Sequence, residues 1–173
     1  MRIDPKDTAL ADIRLLVLDF DGVMTDNRVL VGQDGTEAVM CHRGDGLGIK
    51  MLKEAGIEAI VLSTEENPVV SARCTKLQIQ CVQGCNDKLT CLRRLAEQRG
   101  LKPHEVAFVG NDINDRAALD WAGVSIAPAD AETAAKDAAR LVTASKGGHG
   151  VVREIADWLI AVRESRDAPG ARH

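Results

Sequence analysis

The sequence predicts a doubly wound, Rossmann-like α/β fold with a mostly parallel sheet, a β-hairpin insertion and no cap domain. Three observations carry that prediction. Residues 15–18 are an unbroken apolar run, Leu-Leu-Val-Leu, that stops at Asp19-Phe20-Asp21-Gly22. Such a run, bounded by a turn signal, reads as a strand buried on both faces. After it, β-prone and helix-period segments alternate to the end of the chain, which is the pattern of crossover-connected parallel strands. One inter-element segment, residues 27–43, interrupts the alternation, and it reads as a hairpin rather than a separate lid.

The elements follow in order. Residues 14–18 form the first strand, and residues 46–55 a helix with Leu47, Ile49, Leu52 and Ala55 apolar and Gly56 as its stop. Within the insertion, the β-prone runs 28–31 and 37–40 flank a Gly32-Gln33-Asp34-Gly35 turn cluster, so the hairpin rises beside the end of the first strand. The pattern continues with a strand at 59–62, a helix from Pro68 to Leu77, a short strand at 79–82 and a helix opened by Asp87 and closed at Arg99-Gly100. A strand at 106–109, a helix at 114–121, a strand at 124–127, a helix from Ala131, a strand at 141–142 and a helix from Val151 complete it. The expected domain spans residues 1–162, with 163–173 an aperiodic, disordered tail.

Composition narrows the function classes. A chain of 173 residues can bury one sizeable core. With 22 basic and 26 acidic residues it has no excess of cations for nucleic-acid phosphates, and two Phe, two Trp and no Tyr provide no platform for stacked bases. Nucleic acid is not an expected partner, and no stretch reaches the ~20 apolar residues of a membrane span. Cys41, Cys74, Cys81, Cys85 and Cys91 are odd in number, with no CxxC pair and no apolar export segment ahead of them. They read as reduced, buried thiols of a cytoplasmic protein.

The chemistry concentrates at strand ends, where open α/β sheets bind ligands. Asp19 and Asp21, one residue apart, need a divalent cation, a shared proton or a strong donor to offset their repulsion. Alternatively, Asp21-Gly22 is only a turn signal. Ser63 and Thr64 follow the second buried strand and provide either an anion site or a helix cap. Lys88 opens a helix, where a cation opposes the dipole; it is either a ligand for an anion or a solvated lysine. Gly110-Asn111-Asp112-Ile113-Asn114-Asp115 gives a second acidic cluster, whose plainer reading is an N-cap.

Taken together, DxDGxxTD, a hydroxyl after the next strand, Lys88, and GNDxxD resemble the haloacid dehalogenase superfamily of phosphotransferases. Within it the chain is similar over about residues 12–160 to small capless phosphatases of phosphorylated 2-keto-3-deoxy sugar acids. The related C-terminal domain of acylneuraminate cytidylyltransferases shares the pattern. The resemblance implies Asp19 as a nucleophile that forms an aspartyl phosphate and Asp21 as acid and then base. It implies Mg2+ held by Asp19, the Asp21 carbonyl and the residue after Gly110, either Asn111 or a shifted Asp112, with Asp115 in the metal cluster. Ser63 and Lys88 would hold the phosphate.

Many members carry GDD where this chain has Gly110-Asn111-Asp112, and some cytidylyltransferase-attached relatives with Asn there serve structure rather than catalysis. Retention of Asp19, Asp21, Lys88 and Asp115 favours an active enzyme over a silent oligomerisation module. Relatives acting on the eight-carbon octulosonate carry Gly-Arg after the Ser63 position; Thr64-Glu65 is nearer to those handling nine-carbon, sialic-acid-like phosphates. Thr64, Glu65 and Asp45 are further candidate substrate contacts; Arg73 or Lys76 is either a contact for the substrate carboxylate from a neighbouring subunit or part of a solvated helix face. The same resemblance implies a homotetramer built through the hairpins, with the Gly147-Gly148-His149-Gly150 segment reaching an adjacent site.

Overall fold

The computed structural model describes residues 8–167. Six strands form one parallel sheet: β1 (Leu15–Leu18), β4 (Glu58–Leu62), β5 (Gln80–Val82), β6 (Val106–Val109), β7 (Val124–Ala127) and β8 (Leu141–Val142), in the spatial order β5-β4-β1-β6-β7-β8. β1 is central, with Leu18 in register with Val61 of β4 and Val109 of β6. Every residue of β1, β6 and β7 is buried, as expected of parallel strands covered on both faces.

Two hydrophobic cores form because alternate strand residues face opposite sides. On one face Leu16 and Leu18 meet helices α2 (Arg43–Glu54), α3 (Pro68–Leu77) and α7 (Val151–Asp167) through Leu52, Val70, Ile155 and Leu159. On the other, Leu15, Val17 and Phe108 meet α4 (Lys88–Glu97), α5 (Arg116–Trp121) and α6 (Thr133–Ala138) through Leu92, Leu95, Leu119 and Ala135. A four-residue helix α1 (Thr8–Ala11), too short to leave a periodic signal, precedes β1.

The helices begin where their caps dictate. α2 opens three residues earlier than its apolar period suggests, because the His42 ring accepts from Gly44 N–H. Asp87 caps α4 and makes Lys88 its first residue. The expected helix 114–121 begins as a 3-10 turn, Ile113–Asp115, before α5. The hairpin is narrower than its sequence suggests: β2 (Leu30–Val31) and β3 (Glu37–Ala38) are two residues each, joined to the body by a Thr25–Cys41 bridge. Its apolar side chains Val29, Leu30, Val31 and Met40 are all more than half exposed.

Two expectations are corrected. Residues 163–167 are helical rather than disordered, because the Arg163 guanidinium donates to the Ala55 and Ile13 carbonyls and Arg166 to that of Ala11, fastening the last turn of α7. The tail from 168 lies outside the described residues. Cys85 and Cys91 form a disulfide, Cα–Cα 6.8 Å, instead of two thiols. The capped turn at Asp87 folds Cys85 back beside the second turn of α4, where Cys91 stands. Cys41, Cys74 and Cys81 are free. No described helix is long and apolar enough to cross a membrane.

Candidate active site

Three neighbouring parallel strands deliver the site. β1 leads into Asp19, β4 into Ser63 and β6 into Gly110-Asn111, all at the carboxyl edge of the sheet. The ladder continues one residue past β1 and β6, with Asp19 N–H donating to the Val109 carbonyl at 2.9 Å and Gly110 N–H to Ile126 at 3.1 Å. The site therefore stands on strand backbone, not on free loops.

Lys88 reaches this edge from the first turn of α4. Its Nζ lies 2.8 Å from Asp19 Oδ2 and 2.6 Å from Asp115 Oδ1, and all three residues are buried. The other Asp115 oxygen accepts from Asn111 N–H at 2.8 Å and Asp112 N–H at 3.2 Å. Two carboxylates thus face one ammonium. Burial, and then the Asp115 charge, push the Asp19 carboxyl up to about 7 despite the lysine. The two carboxylates hold Lys88 above its usual value against the opposing effect of burial.

Asp21 is half-buried and accepts a long hydrogen bond, 3.4 Å, from Thr25 Oγ1, which itself accepts from Gly22 N–H and Asn27 N–H. Burial, then the neighbouring Glu65 charge, push the Asp21 carboxyl up from its ordinary value. That favours the protonated form a general acid needs. Gly22 has φ +76°, and a Cβ there would stand 2.0 Å from the Asn111 amide. Only glycine lets the two loops close on each other.

One terminal atom of that amide lies 3.2 Å from Asp19 Oδ2 and 3.0 Å from the Asp21 carbonyl oxygen. With the amide oxygen inward, three acceptor oxygens converge on one point, which is the donor set of a hard divalent cation. The surplus carboxylate of the Asp19–Lys88–Asp115 group supplies the charge such an ion would offset. The residues present therefore fit a divalent metal. The cradle differs from two opposed acid tips: among the described residues no three His, Cys, Asp or Glu side chains gather as a metal site. One carboxylate, one amide and one backbone carbonyl make it instead.

Other expected residues stand elsewhere. Asp112 Oδ1 caps its own 3-10 turn at Ile113 N–H, 2.6 Å, so Asn111 and not Asp112 faces Asp19. Asp115 spends both oxygens on three donors and lies behind Lys88 rather than in the cradle. Asp45, expected as a substrate contact, is buried with Oδ1 3.2 Å from Arg153 N–H, where it caps the first turn of α7. Arg73 Nη2 donates to the His42 carbonyl at 3.0 Å, Lys76 is exposed on α3, and Thr64 is half-buried after β4. Ser63 is buried, with Oγ accepting from Glu65 N–H, and Glu65 Oε1 accepts from Glu66 and Asn67 N–H.

Two parts of the site escaped sequence reasoning. Thr25 ties Asp21 to its own loop; its place in Asp21-Gly22-Val23-Met24-Thr25-Asp26 was the available signal. The Gly147-Gly148-His149-Gly150 segment packs on the same chain's catalytic loop. Gly148 N–H donates to the Val23 carbonyl, and a Cβ on Gly147 would lie 2.2 Å from the Gly22 carbonyl oxygen. A separate cleft of about 820 Å³, between α2, the end of α3 and the start of β5, is lined by residues such as Ile49, Lys53, Leu77 and Gln80. It includes none of these groups.

Comparison with known proteins shows the family. Residues 63–155 match the family model of haloacid dehalogenase-like hydrolases. The chain is 35% identical over 161 residues to the Salmonella typhi 3-deoxy-D-manno-octulosonate 8-phosphate phosphatase KdsC, covering 92% of this chain and 86% of that protein. Among solved structures, a putative haloacid dehalogenase family hydrolase from Streptomyces avermitilis is 47% identical with a TM-score of 0.84, covering 87% of this chain and 92% of that one. The Moraxella catarrhalis 3-deoxy-D-manno-octulosonate 8-phosphate phosphatase, in complex with magnesium, phosphate and KDO, is 28% identical with a TM-score of 0.88, covering 92% of each chain. On fold, site and sequence together, the chain belongs to the haloacid dehalogenase-like hydrolases and is a phosphoric monoester hydrolase of that family.

Proposed function

We propose that this protein hydrolyses the phosphate monoester of a 2-keto-3-deoxy sugar acid with the help of Mg2+. The observation that carries the reading is the buried Asp19–Lys88–Asp115 group beside the Asp21 and Asn111 loops. Asp19 attacks phosphorus, displaces the alkoxide and becomes an aspartyl phosphate. Asp21, biased towards its protonated form, gives its proton to the leaving alkoxide, then takes one from the water that attacks the intermediate. Lys88 stays charged next to Asp19 and offers its N–H groups to the phosphate oxygens, and Ser63 lies at the end of the neighbouring strand for the same task. A divalent cation held by Asp19, the Asp21 carbonyl and Asn111 supplies positive charge against the phosphate dianion. Asp115 holds Lys88 in place.

The relatives support the substrate class: the Salmonella and Moraxella proteins act on, or are bound with, the eight-carbon acid or its phosphate. Within that class we favour the nine-carbon, sialic-acid-like phosphate. Glu65 lies close enough to Asp21 to raise its pKa, and an anion there disfavours the substrate's carboxylate nearby. A chain longer by one carbon carries its carboxylate farther from phosphorus. The eight-carbon phosphate is the second reading, favoured by those two relatives. Phosphate release from a panel of phosphorylated 2-keto-3-deoxy sugar acids, with Mg2+ and with Asp19→Asn as control, decides between them; no release from any of them would support a silent oligomerisation domain.

The exposed apolar hairpin supports a homotetramer that covers this open site. Arg73 and Lys76 of one subunit would then approach a neighbour's substrate.

A further inference from the structure

The Asn111 amide is the one neutral side chain in the cradle, and its two terminal atoms are nearly isosteric. Turning the amide by half a revolution exchanges an acceptor for a donor without moving anything else. Its backbone is fixed: Asn111 N–H donates to Asp115 Oδ2 at 2.8 Å, and its carbonyl accepts from Glu132 N–H at 2.8 Å. Only the side chain is free to turn, and there is room for both orientations because Gly22, opposite the outer atom, has no side chain. With nitrogen inward, Nδ2 donates to Asp19 Oδ2 at 3.2 Å and to the Asp21 carbonyl at 3.0 Å. Those are the same two oxygens that, with the amide oxygen inward, complete the donor set for a cation.

We propose that Asn111 is a two-state stand-in for the metal: its oxygen faces the cradle when a divalent cation is bound, and its N–H2 bridges Asp19 and the Asp21 carbonyl when none is. This rests on the metal-assisted phosphatase reading and goes beyond it. Cation and amide N–H2 compete for the same two oxygens, Asp19 Oδ2 and the Asp21 carbonyl. An aspartate at this position would bind the cation more strongly through its added charge, but without the cation it would set a carboxylate oxygen about 3 Å from two other acceptors. Asparagine thus weakens the metal site and keeps the cation-free fold intact, which suits a protein that loads and releases its metal reversibly.

The test uses the full chain with Mg2+ as the probe. Melting in EDTA and in saturating MgCl2, and calorimetric titration with Mg2+, are compared for wild type and Asn111→Asp. In EDTA, Asn111→Asp melts about 3–8 °C below wild type, the Mg2+-induced rise is larger in the variant, and its Mg2+ affinity is at least about tenfold tighter. A variant that melts at or above the wild-type temperature in EDTA overturns the proposal. If the variant folds only with Mg2+, that supports it. If it fails to fold at all, the wild-type side-chain amide resonances of Asn111 decide: the pair shifts on Mg2+ addition, and an unmoved pair overturns the proposal. Absence of turnover on every sugar-acid phosphate overturns the phosphatase reading alone, since the melts and resonances judge the amide independently.

Discussion

Replacing Lys88 with Met leaves Asp19 and Asp115 buried and facing each other without a countercharge. Breaking such a buried group by removing one partner costs about 3–5 kcal/mol, and loss of a contact to the transferring group costs ~10² to 10³ in rate. Lys88→Met should therefore lose both stability in urea unfolding and kcat, whereas a change at exposed Lys76 should move neither by a comparable amount. Asp19 makes a second prediction at this scale. Its folded-state carboxyl is raised from 3.8 to about 7, so between those values the folded protein holds a proton that the unfolded chain has released. Stability in EDTA then falls as pH rises through that window. Melting temperatures between pH 5 and pH 8 should show the fall, and Asp19→Asn should flatten it. A wild-type curve parallel to that of Asp19→Asn would count against the raised, buried Asp19 carboxyl.

At the scale of elements, the catalytic loop after β1 is held from behind by the glycine segment before α7. Gly148 has φ +69°, and a Cβ there would lie 2.4 Å from Asp26 N. Gly148→Ala is thus strained in its backbone and forced against the Asp21–Asp26 turn at once. It should lower kcat about tenfold or more through the position of Asp21, and lower the melting temperature, even though Gly148 offers no side chain to the site. Helix α4 carries a different test. With Cys85 and Cys91 joined, thiol titration of the denatured, unreduced chain should count three thiols, and five after reduction; five before reduction would contradict the disulfide.

At the scale of the whole molecule, four of the six exposed large hydrophobics among the described residues lie in the hairpin segment. Leu30 is 73% and Met40 74% exposed. Light scattering of the wild type should give a tetramer, and Leu30→Asp with Met40→Asp a smaller species; a monomeric wild type would contradict the assembly. The parallel core was legible because strands buried on both faces read as unbroken apolar runs, and the chemistry was legible because it sits at their ends. Asp19, Ser63 and Asn111 stand at those strand ends, and Lys88 opens the helix that faces them. What stayed hidden depends on partners remote in sequence. Asp45 looks like a site carboxylate until α7, 108 residues later, brings Arg153 N–H to it. The last turn of α7 looks aperiodic because arginines bonded to carbonyls, not an apolar stripe, hold it. The Cys85–Cys91 pair needs the turn at Asp87, which spacing alone does not reveal.

The central claim is that Asp19 carries phosphate covalently. Acid quench during turnover of a sugar-acid phosphate, followed by borohydride reduction and peptide mass spectrometry, should find homoserine at position 19, the reduction product of an aspartyl phosphate. Phosphate released at full rate with Asp19 recovered only as aspartate, or with the label on another carboxylate, would contradict it.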